Sequence, residues 1–156
     1  MGILMRLSLA LSLLMAAMWF GGNLVWLWIV GVGLPSGDPD VALQAASAIE
    51  TAAGAGLLVV FAVLSMAAFL AAAVLSWGDQ RGNAAWLLGG CVIGQLLVVA
   101  VVLGLPVRAQ DASTWGDYGV REALVTFISV LISGTTLTLV GIAIWNAARS
   151  RFVSEI

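Results

Sequence analysis

The stretch 82-GNAAWLLGGCVIGQLLVVAVVLGLPV-107 decides the fold, because it runs for 26 residues without a single charge. A helix needs about 20 mostly apolar residues to cross a hydrocarbon core of about 30 Å, so this stretch is long enough to span a bilayer. Working outward, the charged residues mark off three more such runs: 7–37, 51–78 and 123–148, of 31, 28 and 26 residues. None alternates between apolar and polar residues as a membrane strand does, and all are rich in Ala and Leu, which predicts helices rather than a β-barrel. The first run follows Arg6 and stays uncharged as far as Gly37. That is well beyond the ~7–15 residues of a signal-peptide core, so it is read as a retained span. The expected fold class is all-α: an integral membrane four-helix bundle with an extended extracytoplasmic segment between helices 1 and 2. It forms a single transmembrane domain over 1–156, with helices at about 5–33, 53–76, 84–105 and 119–148.

Composition agrees with the spans. Of 156 residues, 62% are hydrophobic and 9% are charged, where a soluble domain carries about a quarter charged residues to cover its surface. The chain has no histidine and no lysine, and its one cysteine, Cys91, lies inside the third span. No internal disulfide is then available, and metal sites that lean on imidazole or thiolate clusters lose their ligands. No metal and no cofactor is expected, and no basic surface invites nucleic acid. Arg6, Arg81, Arg149 and Arg151 fall on one side of a four-span topology, and Arg108 and Arg121 on the other. The positive-inside rule therefore predicts both termini in the cytoplasm of a multi-pass protein of the cell membrane. Trp77, Trp86 and Trp145 fall where anchors of the cytoplasmic interface belong and Trp115 at the outer one, while Trp19, Trp26 and Trp28 lie deeper and are read as lipid-facing, with lining of a pocket as the alternative.

Local signals refine the elements. Helix 1 is expected to end among Gly31, Gly33 and Pro35, and Asp38-Pro39 reads as an N-cap followed by a proline at the first helical position. Helix 2 can then start as early as Pro39, with Asp40, Gln44, Ser47 and Thr51 making one wet face before the membrane. The short connection Gly78–Asn83 makes helices 2 and 3 antiparallel neighbours. Gly90 and Gly94 form a small-xxx-small pattern suited to close helix packing.

Motifs for phosphate loops, nucleophile elbows and metal clusters do not occur in the sequence. What remains is polarity inside the spans. Glu122, Thr126, Ser129, Ser133 and Thr136 recur at spacings of four, three, four and three, forming one stripe on helix 4. Asn23 in helix 1 and Gln95 in helix 3 fall at a similar depth to Ser129 and Ser133. These seven residues are the candidate ligand-binding cluster. Interhelical hydrogen bonding, the leading reading, requires the same residues, and hydroxyls can also bond back to their own helix. Arg121 and Glu122 are read as opening helix 4, where the helix dipole favours the carboxylate, with Arg108 a pairing partner for Glu122, Asp111 or Asp117.

The pair of stretches Leu103-Gly104-Leu105-Pro106-Val107-Arg108 and Trp115-Gly116-Asp117-Tyr118-Gly119-Val120-Arg121 resembles the anthrone oxygenase-like family of four-helix bacterial membrane proteins. The chain differs from it at Val107-Arg108, where the family has a small apolar residue and asparagine, and at Gly119, where it has asparagine. The resemblance implies a four-helix membrane architecture and, for activity, cofactor-independent oxygenation of an activated phenolic substrate. From the residues themselves the leading expectation is a non-enzymatic membrane protein, either an accessory subunit of a larger membrane complex or a binder of a lipophilic small molecule. The alternatives are a cofactor-independent enzyme on a hydrophobic substrate, or a small transporter or channel that would have to form a homo-oligomer. In every case the bilayer is a partner.

Overall fold

The structure, a computed structural model, describes residues 2–104, 109 and 112–154, and among these not the side chains of 36, 53–55 and 150–154. Four long helices carry the chain. Helix α1 (Ile3–Trp28) continues through a π-helical turn (Ile29–Gly33) and a 3-10 turn (Leu34–Ser36). Helix α2 covers Pro39–Gly78, α3 Gly82–Gly104 and α4 Trp115–Ser154. Each is long and apolar enough to cross a membrane, and the chain is a small multi-pass membrane protein built as an all-α four-helix bundle. Every helix packs on its sequence neighbours, α4 closes the ring against α1, and the α2–α4 diagonal touches only lightly.

The element boundaries follow from local chemistry. Pro35 has no N–H to give the Gly31 carbonyl and its ring crowds that carbonyl, so α1 loosens into the wide turn at Ile29–Gly33 before it stops. Asp38 caps α2 by accepting from the Asp40 N–H at 2.9 Å, and Pro39 supplies the first helical residue. α2 therefore begins at Pro39, as that cap predicts, with its membrane-spanning part at Gly56–Gly78, and at ~1.5 Å per residue its 40 residues reach about twice a hydrocarbon core. Along its first turns Asp40, Gln44 and Thr51 are exposed, whereas Ala42 and Ala46 are buried.

At the other end of α2, Gln80 takes a left-handed conformation (φ 58°). The Arg81 N–H bonds the Ser76 carbonyl at 2.9 Å and the Gln80 N–H bonds that of Trp77 at 3.1 Å. This is a Schellman cap with glutamine where glycine is usual. Helix 4 also starts earlier than expected, at Trp115 rather than 119: Thr114 Oγ1 accepts from the Asp117 N–H at 3.3 Å, and that cap adds a turn to the helix. Pro106, Arg108 and Asp111, on which expectations for the loop rest, lie outside the described residues, as do Leu105 and Val107 of the family-like stretch.

Buried positions recur at spacings of three and four on every helix: Ala62, Ser65, Phe69, Ala72 and Ser76 on α2, and Ala84, Leu88, Cys91, Gln95 and Val98 on α3. That period is the seam of a left-handed bundle. The core contains many small residues because lipid is as apolar as the interior, so helices associate through close contact rather than through a hydrophobic drive. A Cβ on Gly94 would meet Thr136 Oγ1 at 2.6 Å, so α3 and α4 touch there only because the residue is glycine; one on Gly90 would find nothing nearer than Leu139 at 4.0 Å.

Candidate functional site

The polar stripe of α4 lies inside the bundle. Thr126, Ser129, Ser133 and Thr136 are buried, Glu122 is half-buried, and the same seam continues as Val140, Ala143 and Ala147. Three of the hydroxyls are occupied within their own helix. Ser129 donates to the Val125 carbonyl at 2.9 Å, Ser133 to Ser129 at 2.7 Å and Thr136 to Ile132 at 3.0 Å. This back-bonding answers the need for partners in hydrocarbon without calling on a neighbour or a ligand. Cys91 of α3, by contrast, points its thiol across to the Thr136 carbonyl of α4, 3.6 Å away.

Asn23 lies between two α1–α4 contacts, Phe20 against Gly134 and Trp26 against Glu122, which puts it level with Ser129. Its amide, however, donates to the Trp19 carbonyl of its own helix at 2.8 Å. Among the described residues no hydrogen bond joins Asn23 to Gln95 or to the stripe. Gln95 differs from all of these. It is only 2% exposed, it follows the Gly94–Thr136 contact, and its Nε2 has no partner. Among the described residues two other buried polar atoms share that condition: the indole Nε1 of Trp19, whose ring stacks on Phe61 at 5.1 Å, and Ser76 Oγ. On α2, Ser65 is also buried, donating to the Phe61 carbonyl at 2.8 Å.

A second polar group closes the end of the bundle away from the termini. Glu50 of α2 accepts from Tyr118 Oη at 2.7 Å with one oxygen and from the Ala109 N–H at 3.1 Å with the other. Tyr118 is fully buried, packed with Ala46 and Ala109 against Leu34, Leu43 and Trp115. Glu122 accepts from Trp26 Nε1 at 2.9 Å, joining α4 to α1. These charge-assisted bonds tie three helices and the α3–α4 loop together.

Glu122 therefore does not open its helix. It sits nearly two turns in and is held by an indole rather than by the helix dipole, and Trp26 turns inward instead of facing lipid, as the stacked Trp19 partly does. Trp28 is exposed, as are Trp77, Trp86 and Trp145. Glu50 and Tyr118 escaped the sequence reading because Glu50 adjoins the wet face of α2. The signal that reveals it is the spacing Ala42-Ala46-Glu50, which places the carboxylate on the alanine side.

Among the described residues no group of three or more Cys, Asp or Glu is arranged to hold a metal ion. Comparison with protein-family models, curated proteins and solved structures finds no match for the chain.

Proposed function

We infer that this protein is a non-enzymatic membrane component that binds a lipophilic small molecule carrying a hydrogen-bond acceptor, met by the Gln95 amide. One observation carries the reading: Gln95 Nε2 is buried at the centre of the bundle without a partner, while the hydroxyls bonded back along α4 at the same level are provided for. An amide N–H in hydrocarbon with nothing to bond costs several kcal/mol, in the range of ~2–7 kcal/mol, and native structures leave few such groups. A carbonyl or ether oxygen on an apolar molecule lying between the helices would remove that cost. The hydroxyls of Ser129, Ser133 and Thr136, the Cys91 thiol and the carboxylates of Glu50 and Glu122 are each engaged with a neutral donor or a backbone carbonyl, an arrangement suited to holding rather than transforming a ligand.

The arginine bias supports a cell-membrane protein with both termini in the cytoplasm. Arg6, Arg81 and Arg149 share the end that carries the termini, whereas Arg121 lies at the other end, near the Glu50 clasp.

Native mass spectrometry of the gently extracted full chain tests the binding. The parent should retain a discrete apolar molecule, and Gln95→Leu should lose at least about fivefold of its occupancy, the weight of one hydrogen bond. Emptied of ligand, Gln95→Leu should melt higher than the parent, because it removes an unsatisfied amide. Equal occupancy in both proteins, or a parent carrying only bulk lipid, would show that Gln95 is no binding residue.

A further inference from the structure

At the end of the bundle that holds both termini, an open cleft of about 410 Å³ lies between the α2–α3 turn and the last turns of α4. Its polar lining comes from three places: Gln80 and Arg81 in the turn, Asn83 at the start of α3, and Asn146 and Arg149 on α4. The volume lies within the ~300–1,000 Å³ of small-ligand sites. We propose that this cleft binds the phosphodiester headgroup of an anionic phospholipid.

Three features point to that ligand. The first is donor chemistry: two guanidinium groups and three carboxamides from separate elements line one space, and guanidinium matches phosphate oxygens in geometry and charge. The second is charge. Arg81 is held by Asp79 at 2.6 Å, and its Nη1 also touches Met5 Sδ at 3.4 Å, so the group is set in place before any ligand arrives. Asp79 offsets one of the two arginine charges, and the single positive charge left matches a phosphodiester, which bears one negative charge. The third is depth. Trp77 and Trp86, packed edge-to-face at 5.9 Å, and Trp145, one residue from Asn146, are all more than 60% exposed around this end. Exposed tryptophans of a membrane protein sit at the headgroup level, so a molecule in the cleft meets lipid phosphates rather than bulk water alone. From there, exposed Ile93, Leu96 and Leu97 on α3 and Ile142 on α4 offer an apolar surface for acyl chains. Gln80 adds to the case: a glutamine occupies a left-handed position that glycine would take more cheaply, and its side chain lines the cleft.

The test compares the full chain in neutral micelles doped with phosphatidylglycerol, with phosphatidylcholine, or with millimolar inorganic phosphate alone, read by retained adducts in native mass spectra and by melting temperature. Arg149 is exposed, so Arg149→Gln is the deciding variant, with Asn146→Ala beside it. An arginine near an anionic surface contributes about 1 kcal/mol, or about fivefold in affinity. The parent should prefer phosphatidylglycerol over phosphatidylcholine by about fivefold or more, and Arg149→Gln should reduce that preference by about fivefold with its lipid-free melting temperature unchanged. Gln95→Leu should keep the preference, which separates this site from the bundle interior. Equal retention of the two lipids, or a preference untouched in Arg149→Gln, would overturn the proposal. So would inorganic phosphate alone stabilising the parent as strongly as phosphatidylglycerol, since it would assign the cleft to a soluble anion.

Discussion

Gly94 and Thr136 meet where α3 packs on α4, and the contact allows no added atom. Thr136 is β-branched and its hydroxyl is tied to the Ile132 carbonyl at 3.0 Å, so it cannot swing away from a methyl group without giving up that bond. Gly94→Ala should therefore destabilise the protein by ~1–3 kcal/mol, the usual cost of overpacking, and lower its melting temperature in detergent. Thr136→Ala in the same chain should recover most of the loss, and Gly90→Ala should change little. A Gly94→Ala protein that melts with the parent would mean the two backbones stand further apart. The small-xxx-small spacing was legible in the sequence and proposed both glycines equally. Which of them cannot bear a side chain depends on what faces it from α4, and no local pattern contains that.

At the scale of the element, caps and breakers account for most boundaries. Asp38-Pro39 starts α2, Pro35 loosens the end of α1, and the 78–83 connection turns the chain between antiparallel helices. The start of α4 departs from the expected 119, because a threonine three residues before Asp117 is itself a capping signal. That early start puts Tyr118 on the inner face, where Glu50 of α2 accepts its hydroxyl. Tyr118→Phe keeps the ring and removes the bond. It should cost ~1.5–3 kcal/mol, the weight of a hydrogen bond to a charged group. Glu50→Ala should cost more, since it also strips the Ala109 N–H of its acceptor. Thermal melts of both variants read the loss, and backbone hydrogen exchange in the first turns of α4 should quicken in each. Unchanged exchange there would show that the carboxylate does not hold this end of the bundle closed.

Across the whole molecule, four spans place the N-terminal turn of α1, the 79–81 turn and the last turns of α4 at one end, and Ala109 and residues 112–118 at the other. With Cys91 replaced by alanine, a cysteine at Asp79 should be shielded from an impermeant thiol reagent in intact cells, and a cysteine at Ser113 should react. The reverse pattern would invert the orientation read from the arginines. Cys91 itself is buried, but replacing it keeps the background silent.

That this protein lies in a bilayer, that it crosses four times as helices, and that one face of α4 is polar are all legible in the residues alone. Those properties depend on composition and on a 3.6-residue period, which every segment carries independently of the others. What the polar groups do depends on how the helices pack. Ser129, Ser133 and Thr136 turn back on their own carbonyls, Asn23 does the same, and Gln95 is left without a partner although all were candidates for one shared cluster. Glu50, Tyr118, Trp26 and Glu122 come together from distant parts of the chain, as do Arg81 and Arg149. Hydrogen bonds act over about 3 Å, and residues separated by 68 or 96 positions reach that distance only after the helices have packed.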